Sequence, residues 1–399
     1  MNPTPGHPEI RVDVGAIRAN ARLLRAHAGV PLIAVVKADG YGHGMVESAH
    51  AALAGGADWL AVATPEEALA LREAGLPGRI LCWLTTPDTD YKACLRASLD
   101  VTAYSVAELD EIAEAAATLT GAGAGDGRAR VQLKVDTGLS RGGAPRSEWA
   151  ELFERARRGE REGSWRITGV WSHLACSDDP EHPANDAQEA SFREAITAAR
   201  AAGLTPEICH LANSAAAILR PSARFDAVRC GIALYGLDPA PGNTPDLGLR
   251  PAMTVRAPLV MVKDAAPGAG VSYGHLWRAR RETTLGLVPL GYGDGIPRHA
   301  SSADPATAAE VLVAGRRRPI RGRVCMDQFV VDLDGDRPPV GADAVLFGPG
   351  DDGEPTAQDW AEACGTINYE IVTRIGGRMS RTHHDGGDVG GPGPDGSTP

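Results

Sequence analysis

The 399-residue sequence lacks the features that mark several protein classes. Its seven cysteines, at positions 82, 94, 176, 209, 230, 325 and 364, are odd in number and form no CxxC pair, which disfavours a disulfide framework and a zinc site. The 40 basic residues are fewer than the 51 acidic ones, and the resulting net charge of −11 disfavours nucleic-acid and membrane partners. No segment approaches the roughly 18 uninterrupted apolar residues of a membrane span, and no apolar signal core opens the chain. We therefore expect a cytoplasmic protein with reduced thiols and no metal.

The length and composition indicate a globular protein of two domains. A chain of 399 residues exceeds what one ordinary hydrophobic core organises. Its 43% hydrophobic and 23% charged residues are typical of globular proteins. The segment 382–399 is rich in Gly, Pro and Asp, which predicts a disordered tail.

Short apolar runs recur through the first 237 residues. Eight of them have the composition of buried strands: LIAVV (32–36), WLAV (59–62), RILCW (79–83), LDVTA (99–103), VQLKV (131–135), ITGVW (167–171), EICHL (207–211) and DAVRC (226–230). Helical patterns separate most of them, such as one with Thr64 and Glu67 as a capping box and Pro65 at the first helical position. This alternation predicts an α/β fold, a (β/α)8 TIM-type barrel, over 1–237. An open doubly wound sheet is the alternative, but eight units in about 200 residues fit a closed barrel better.

The pattern changes after Leu237. A Pro- and Gly-rich linker comes first, and strand-like runs with few helices follow it. One helical pattern begins at Thr356. We therefore predict a second, mostly β domain over 238–381.

Lys37 directly follows the first predicted barrel strand. Catalytic groups of barrel enzymes lie at the C-terminal ends of the strands. A lysine in an apolar, partly dry site is either paired or has a lowered pKa, and a neutral amine is a nucleophile that can form a Schiff base with an aldehyde cofactor. The alternative is a lysine that simply leaves the strand for solvent.

Polar side chains follow other predicted strands. Arg141 comes after VQLKV, His173 after ITGVW, Asn213 and Ser214 after EICHL, and Arg229 lies in DAVRC. Taken singly, His173 is typical of a core histidine, and the Asn-Ser pair is typical of a helix N-cap. Their shared location at one end of a barrel predicts an active site.

A phosphate suits these groups. Ser214 begins a predicted helix, and the backbone N–H groups near Gly231 and Ile232 can complete an anion-binding cradle. A phosphate site, a lysine placed to trap an aldehyde and a barrel together indicate pyridoxal 5′-phosphate (PLP) as cofactor.

Nine stretches, in chain order, are AVVKADGYGHG, LKVDTGLSRGG, GVWSHLACSDD, CHLANSAA, VRCGIALYGL, GVSYGH, GYGDG, GRVCMDQ and TINYE. They resemble the motifs of the alanine racemase family, PLP enzymes with a barrel and a β domain. They extend from residue 34 to residue 370 and so cover nearly all of the chain predicted to be ordered. The resemblance implies a homodimer with shared active sites that interconverts L-alanine and D-alanine and supplies D-alanine for cell-wall peptidoglycan.

The resemblance also implies roles for individual residues. Lys37 is similar to the family's Schiff-base lysine and first catalytic base, and Tyr273 to the second base, which the other subunit contributes. The positions that resemble cofactor-binding ones are Tyr41, His173, Asn213, Ser214, Arg229, Gly231, Ile232 and Tyr369. The positions that resemble substrate-binding ones are Arg141, Met326, Asp327 and Tyr292, the last at the entrance. Lys134 matches a lysine that is often carbamylated, and the added negative charge would orient Arg141.

The chemistry itself favours two bases. Racemisation removes a proton from one face of the substrate and returns one to the other, which two opposed bases achieve without turning the substrate. Lys37 and Tyr273 suit this if their pKa values, ordinarily about 10.4 and about 10, are lowered. Arg229 opposite the cofactor's ring nitrogen would leave that nitrogen unprotonated, because guanidinium does not release its proton.

Other functions stay open at the level of sequence. A PLP barrel decarboxylase is expected to place an acid where Arg229 stands, and a non-catalytic PLP carrier resembles the barrel alone. A broad-specificity or serine racemase differs least, because one extra hydroxyl changes little in such a pocket. The family's pattern reads DTGLSRGG and VRCG here, and these departures bear on substrate breadth.

Overall fold

The computed structural model describes residues 6–119, 128–301 and 307–386. They divide into two compact units. The barrel unit contains Asn20–Leu234 and Asp238–Gly248, and the β unit contains residues 6–19, Tyr235–Leu237 and residues 249–386.

The elements of the described residues are as follows. The strands are β1 (Glu9–Asp13), β2 (Leu32–Val35), β3 (Trp59–Val62), β4 (Arg79–Cys82), β5 (Asp100–Ala103), β6 (Ala129–Lys134), β7 (Trp165–Trp171), β8 (Ile208–His210), β9 (Val228–Cys230), β10 (Met253–Pro258), β11 (Met261–Ala265), β12 (Gly270–Val271), β13 (Trp277–Arg278), β14 (Thr283–Val288), β15 (Glu310–Val313), β16 (Arg316–Arg321), β17 (Phe329–Asp332), β18 (Asp343–Phe347) and β19 (Ser380–His384). The helices are α1 (Val14–Ala28), α2 (Lys37–Tyr41), α3 (Met45–Ala54), α4 (Pro65–Glu73), α5 (Tyr91–Arg96), α6 (Val106–Ala117), α7 (Trp149–Glu162), α8 (Ala184–Ala201), α9 (Ser214–Leu219), α10 (Ala357–Cys364) and α11 (Asn368–Arg374).

The barrel unit is built on eight parallel strands in the order β8-β7-β6-β5-β4-β3-β2-β9. The two end strands are joined by backbone hydrogen bonds from Asp226 N to Cys209 O and from Arg229 N to Ala212 O, both 3.0 Å long. These bonds close the sheet into a ring, and each of its strands lies at one of the eight predicted runs. The barrel prediction is confirmed, and the open sheet is excluded.

Local signals explain where helices of the barrel unit begin. The Thr64 side chain accepts a hydrogen bond from the Glu67 backbone, the Glu67 carboxylate accepts one from the Thr64 backbone, and Pro65 opens α4. Ser105 caps α6 in the same way, accepting from Glu108 N. Helices α4 and α6 each start three residues after a strand end, so their caps also fix the loops at the rim where polar groups are expected.

The β unit contains a nine-stranded sheet in the order β11-β14-β17-β16-β15-β18-β10-β1-β19. Its neighbours pair antiparallel except β1 with β19. A separate hairpin joins β12 and β13. Thr356, where the predicted helical pattern begins, is the N-cap of helix α10 and accepts from Asp359 N. The mostly β second domain is therefore confirmed.

Two boundaries differ from the sequence prediction. The first strand, β1, lies within the predicted barrel segment 1–237 but pairs with β10 and β19, because its alternating Ile10 and Val12 are buried in that sheet. Residues 382–384 belong to β19 instead of a tail, and Thr382 Oγ1 donates to Glu9 Oε1 over 2.6 Å. Of the predicted tail, 387–399 lie outside the described residues. Among described helices, none is both long and apolar enough to traverse a membrane.

Candidate active site

Lys37 begins a strained turn at the end of the first barrel strand. It lies two residues after β2, and Ala38, Asp39 and Tyr41 all have left-handed backbone dihedrals, with φ of 53°, 52° and 53°. Such dihedrals are unfavourable for residues other than glycine, and they persist where surrounding contacts enforce them. Here the Glu67 carboxylate accepts from Ala38 N over 2.7 Å. The turn is therefore held by the same glutamate that caps α4.

The Lys37 amine is partly buried between aromatic rings. Its Nζ lies 5.8 Å from the ring centroid of Trp83 and 6.0 Å from that of Tyr41. Burial, followed by the charge of Arg141, lowers the pKa of Lys37 below its ordinary value, although Glu67 opposes the shift. A larger fraction of neutral, nucleophilic amine follows at any pH below the ordinary pKa.

Arg229 is buried beneath the same rim, with 3% of its surface exposed. Its guanidinium donates to three backbone carbonyls, those of Ser172 (2.8 Å), His210 (3.1 Å) and Leu211 (2.9 Å). It also lies 3.1 Å from His173 Nδ1 and 2.8 Å from His210 Nδ1. None of its partners among the described residues is a carboxylate.

The two histidines beside Arg229 are held neutral. Burial, reinforced by the Arg229 charge, places the pKa of His173 and that of His210 well below the ordinary value. Burial also lowers the pKa of Arg229 to about 9, so its guanidinium stays a cation at pH 7. The carboxylate of Asp226, three residues before Arg229 in the chain, accepts from Cys209 N instead. The arrangement presents one fixed positive charge surrounded by neutral acceptors.

The residues predicted to form a phosphate cradle lie at the ends of β8 and β9. Gly231 N donates to Ser214 Oγ over 2.9 Å, which leaves the serine's own O–H available as a donor. A Cβ on Gly231 would lie 2.2 Å from the Tyr41 hydroxyl, so only glycine fits there. The Asn213 side chain caps α9 through Ala216 N and accepts from Ser177, the helix-cap role that the sequence left open.

Lys134 lies at the end of β6 with 6% of its surface exposed. Its ammonium lies 4.5 Å from the Trp171 ring centroid and 5.2 Å from that of Tyr104. Burial, then the charges of Arg229 and Arg141, lowers the pKa of Lys134 to about 8. This amine is therefore substantially neutral in mildly alkaline solution.

The β unit presents a second group of predicted site residues. Tyr273 is 72% exposed in a turn between β12 and β13, where Ser272 has φ of 58° and donates to Arg323 O over 2.7 Å. Met326 and Tyr292 are 54% and 43% exposed. Tyr292 N donates to Cys325 O over 3.0 Å, so the two loops are bonded together.

The Asp327 carboxylate is engaged within the β unit. It accepts from Arg378 Nη1 over 2.7 Å, and the same arginine contacts both oxygens of buried Asp294 over 2.8 Å. Burial raises the pKa of Asp294, but hydrogen bonds from Arg378 and Gly291 outweigh it and hold the pKa below its ordinary range. Asp327 thus anchors the loop that carries Met326.

The predicted site residues fall into two groups. The barrel unit brings together Lys37, Tyr41, Lys134, Arg141, His173, Asn213, Ser214, Arg229, Gly231 and Ile232, and the β unit carries Tyr273, Tyr292, Met326, Asp327 and Tyr369. Four further residues contact these groups without a signal that had been used: Trp83 lies beside Lys37, Tyr104 and Trp171 lie beside Lys134, and buried His210 lies behind Arg229. Trp83 and Tyr104 directly follow β4 and β5, so the strand-end argument used for Lys37 could have found them.

Models of a known family match both units. The N-terminal domain model of alanine racemase matches residues 12–239, and the C-terminal domain model matches residues 252–383. Together they span the described site residues of both groups.

Individual relatives are similar over nearly their whole length. An alanine racemase of Streptomyces coelicolor is 55% identical over 380 residues, 93% of this chain and 94% of the relative. One from Thermobifida fusca is 52% identical over 377 residues, 94% of this chain and 97% of the relative. The solved alanine racemase of Streptomyces lavendulae, a D-cycloserine producer, has a TM-score of 0.91 and 49% identity, covering 96% of this chain and 98% of that one.

Proposed function

Since this chain belongs to the alanine racemase family and is an isomerase of L-alanine and D-alanine, we propose that Lys37 and Tyr273 are the two bases of the reaction. One base removes the α-proton of alanine, and the other delivers a proton to the opposite face. The lowered pKa of Lys37 supports its assignment, because a base must be unprotonated to accept. The D-alanine formed is proposed to serve peptidoglycan synthesis.

The described residues fit PLP as the cofactor. Ser214 and Tyr41 both lie against Gly231: the Ser214 oxygen accepts from Gly231 N, so its O–H can donate outward, and the Tyr41 hydroxyl lies beside the Gly231 Cα. Two hydroxyls at one glycine of the rim suit a phosphate. When bound, PLP supplies an electron-withdrawing ring that makes the α-hydrogen of alanine acidic. These three residues, with Ile232 N–H and with Tyr369 of the β unit, are proposed to hold the phosphate.

The rest of the cofactor site is assigned from charge. Lys37 is proposed to hold the cofactor covalently through its amine. Arg229 would face the ring nitrogen and only donate to it, so that nitrogen keeps its lone pair. His173, neutral and bonded to Arg229, would lie beside the ring. Asn213 would act through the helix cap that places Ser214.

Substrate binding is proposed to involve both groups of residues. Arg141 is exposed at the rim and would pair with the carboxylate of alanine. Met326 would flank that carboxylate, and Asp327 would fix the Met326 loop through Arg378. Tyr292, bonded to the same loop, would line the entrance.

Lys134 is proposed to become a carbamate. Its neutral amine would attack CO2, form an N–C bond and release one proton, leaving a negative charge beside Arg141. The pKa of about 8 supports this, because the neutral form is the one that reacts. Incubation with ¹³C-bicarbonate should give a carbamate NMR signal that Lys134→Met abolishes, and a signal unchanged in that variant would exclude the assignment.

We also propose a cytoplasmic homodimer with shared active sites. The exposure of Tyr273, at 72%, supports sharing, since a proton-transferring phenol works best when it is covered in a closed site. The proposed cytoplasmic location is supported by the seven cysteines, none of which forms a disulfide bond in the structure.

The proposal rests mainly on the Lys37 amine, which is partly buried at the rim that carries the proposed phosphate cradle and has a lowered pKa. Borohydride reduction of the PLP-loaded protein should attach the cofactor to the Lys37 peptide, and L-alanine in D2O should lose its α-hydrogen and appear as both enantiomers. Lys37→Ala should show neither effect. An adduct on another peptide would refute the lysine assignment. Faster exchange with serine than with alanine would favour the broad-specificity or serine racemase.

A further inference from the structure

Behind Arg229, the barrel interior contains a chain of three polar side chains. Arg229 Nη1 lies 2.8 Å from His210 Nδ1, and His210 Nε2 lies 2.7 Å from Gln132 Oε1. His210 and Gln132 are fully buried. The imidazole is also stacked on Trp171, with ring centroids 5.7 Å apart and planes 7° apart. His210 therefore has one polar neighbour at each ring nitrogen.

The polarity of this chain follows from Arg229. A guanidinium only donates, so His210 Nδ1 must accept and the neutral ring must carry its proton on Nε2. Gln132 must then present its oxygen, because the reversed amide would set two donors against each other. Each member fixes the orientation of the next.

Two features show that Gln132 is not a simple packing residue. Its Nε2 is buried without a hydrogen-bond partner among the described residues. An apolar side chain of the same size would avoid the cost of this unsatisfied donor. On β7 opposite, a Cβ on Gly169 would lie 2.8 Å from the Gln132 amide carbon and oxygen. Glycine at 169 thus leaves the space in which the amide oxygen reaches His210.

We propose that Gln132, seated against Gly169, is a positioning residue. By accepting from His210 Nε2–H it stabilises the one tautomer whose Nδ1 can accept from Arg229, and it thereby holds Arg229 for the racemisation. The link to racemisation rests on the proposed function. The hydrogen-bond polarity itself depends only on the barrel unit and can be measured without cofactor or substrate.

Two substitutions of similar size separate positioning from packing. Gln132→Glu keeps an oxygen acceptor but adds a charge, whereas Gln132→Met keeps the apolar volume but removes the acceptor. Positioning predicts that the glutamate variant retains the Nε2–H form of His210. In the methionine variant the buried Nε2–H has no acceptor, so a fraction of His210 should move its proton to Nδ1 and lose the bond from Arg229. If Gln132 only fills space, the methionine variant should keep the parent's Nε2–H form and the glutamate variant should depart from it.

The measurement is ¹⁵N NMR of the full-length, cofactor-free protein labelled at histidine, since the shifts of the two ring nitrogens report which one carries the proton. The His210 signals are identified by their loss in His210→Asn. Thr168→Val is the matched control, because it removes another buried hydrogen bond of the barrel, 2.8 Å to Asp100, outside this chain. It should leave the His210 shifts unchanged.

Gly169→Ala reaches the same defect by a different route. Its Cβ should push the amide away from His210 and reproduce the methionine variant's shifts with Gln132 intact. A parent protein with the His210 proton on Nδ1, or a methionine variant with parental shifts, would overturn the proposal.

Racemisation provides the second readout. With PLP and alanine, Gln132→Met should reduce kcat about tenfold, because the hydrogen bond that holds His210 and, through it, Arg229 in the transition state is lost. Gln132→Glu keeps an acceptor and should retain most of the parent's kcat. Parental kcat in the methionine variant would also contradict the proposal. If the NMR pattern holds while the parent itself does not racemise alanine, the proposed function fails and the proton assignment stands.

Discussion

At the scale of the residue, the site works by lowering the pKa of amines through burial and neighbouring cations. Lys37 and Lys134 are both affected, with burial as the largest cause and arginine charge next. Burial, reinforced by the Arg229 charge, holds the pKa of His173 and that of His210 well below the ordinary value, and Arg141 adds to the shift of His173. A cluster of positive groups therefore provides neutral amines and imidazoles near neutral pH.

Lys134 should make stability rise with pH in a defined range. Its pKa is about 8 in the folded protein and about 10.4 in an unfolded chain, so the unfolded state binds more protons between these values. The free energy of unfolding of the parent, relative to Lys134→Met, should therefore increase from about pH 8 to about pH 10, by roughly 2–3 kcal/mol. Urea denaturation of both proteins in CO2-free buffer measures the difference. A difference that is flat across this range would show that the buried amine is not perturbed.

At the scale of the element, strand ends were predictable and the irregular turns between them were not. Each of the eight barrel strands lies at a predicted run because short β-branched segments with capped helices between them have few other packings. The left-handed turn after Lys37 has no such signal, since Ala38 and Asp39 normally avoid those dihedrals. The pairing of β1 with β10 was equally hidden, because it joins residues more than 200 positions apart.

The candidate site divides in the same way. Lys37, His173, Ser214 and Arg229 follow from their positions at strand ends. His210 does not, although it is the last residue of β8, because in the predicted run EICHL it precedes the strand end, where a histidine usually signals only a satisfied core position. The roles of Tyr273 and Met326 were predicted only from the family resemblance. Nothing in the local sequence pattern distinguishes a turn that carries a proposed base from an ordinary hairpin.

Glu67 should couple helix α4 to the Lys37 turn. Its carboxylate accepts from Ala38 N over 2.7 Å and from Ala63 N over 2.9 Å, so it joins the strained turn to the end of β3. Glu67→Ala should relax the turn and reduce racemisation about ten- to a hundredfold, with a helix-cap loss of about 1 kcal/mol in unfolding free energy. Glu67→Gln keeps an oxygen acceptor and should retain more activity.

Glu66 provides the matched control for this experiment. It stands in the same first turn of α4 but is exposed. Glu66→Ala should change kcat less than about twofold, because it removes only a surface charge. Equal losses in the two alanine variants would mean that the helix start as a whole matters and that the contact to Ala38 does not.

Gly231→Ala should damage the phosphate cradle. Its Cβ would lie 2.2 Å from the Tyr41 hydroxyl, so the tyrosine must move away from Gly231. PLP titration followed by absorbance should show binding weakened by about tenfold or more, equal to about 1.4 kcal/mol. Gly376→Ala is the control, because a Cβ added there would meet no atom within 4 Å, and it should bind PLP like the parent. Parental PLP affinity in Gly231→Ala would place the phosphate elsewhere.

At the scale of the whole molecule, the two groups of site residues raise the question of which chain supplies the second base. Lys37 belongs to the barrel unit and Tyr273 to the β unit. Tyr273, Met326 and Tyr292 together expose large side chains that a covered site would bury. The proposed two-base racemisation needs the phenol and the amine on opposite faces of one substrate molecule. A second copy of the chain would supply the phenol while covering those side chains.

Subunit mixing tests this sharing directly. Lys37→Ala and Tyr273→Phe homodimers should each be nearly inactive, because every site then lacks one base. In a mixed dimer, one site receives the intact Lys37 and the intact Tyr273, and the other carries both defects. Equal mixing makes about half of the dimers mixed, so activity should return to about a quarter of the parent's. Mixing Lys37→Ala with Arg141→Ala is the control, since both residues belong to the barrel unit and no combination should give an intact site. Differently tagged chains confirm that subunits exchange. Exchange without recovered activity would assign both bases to one chain and would contradict the shared site.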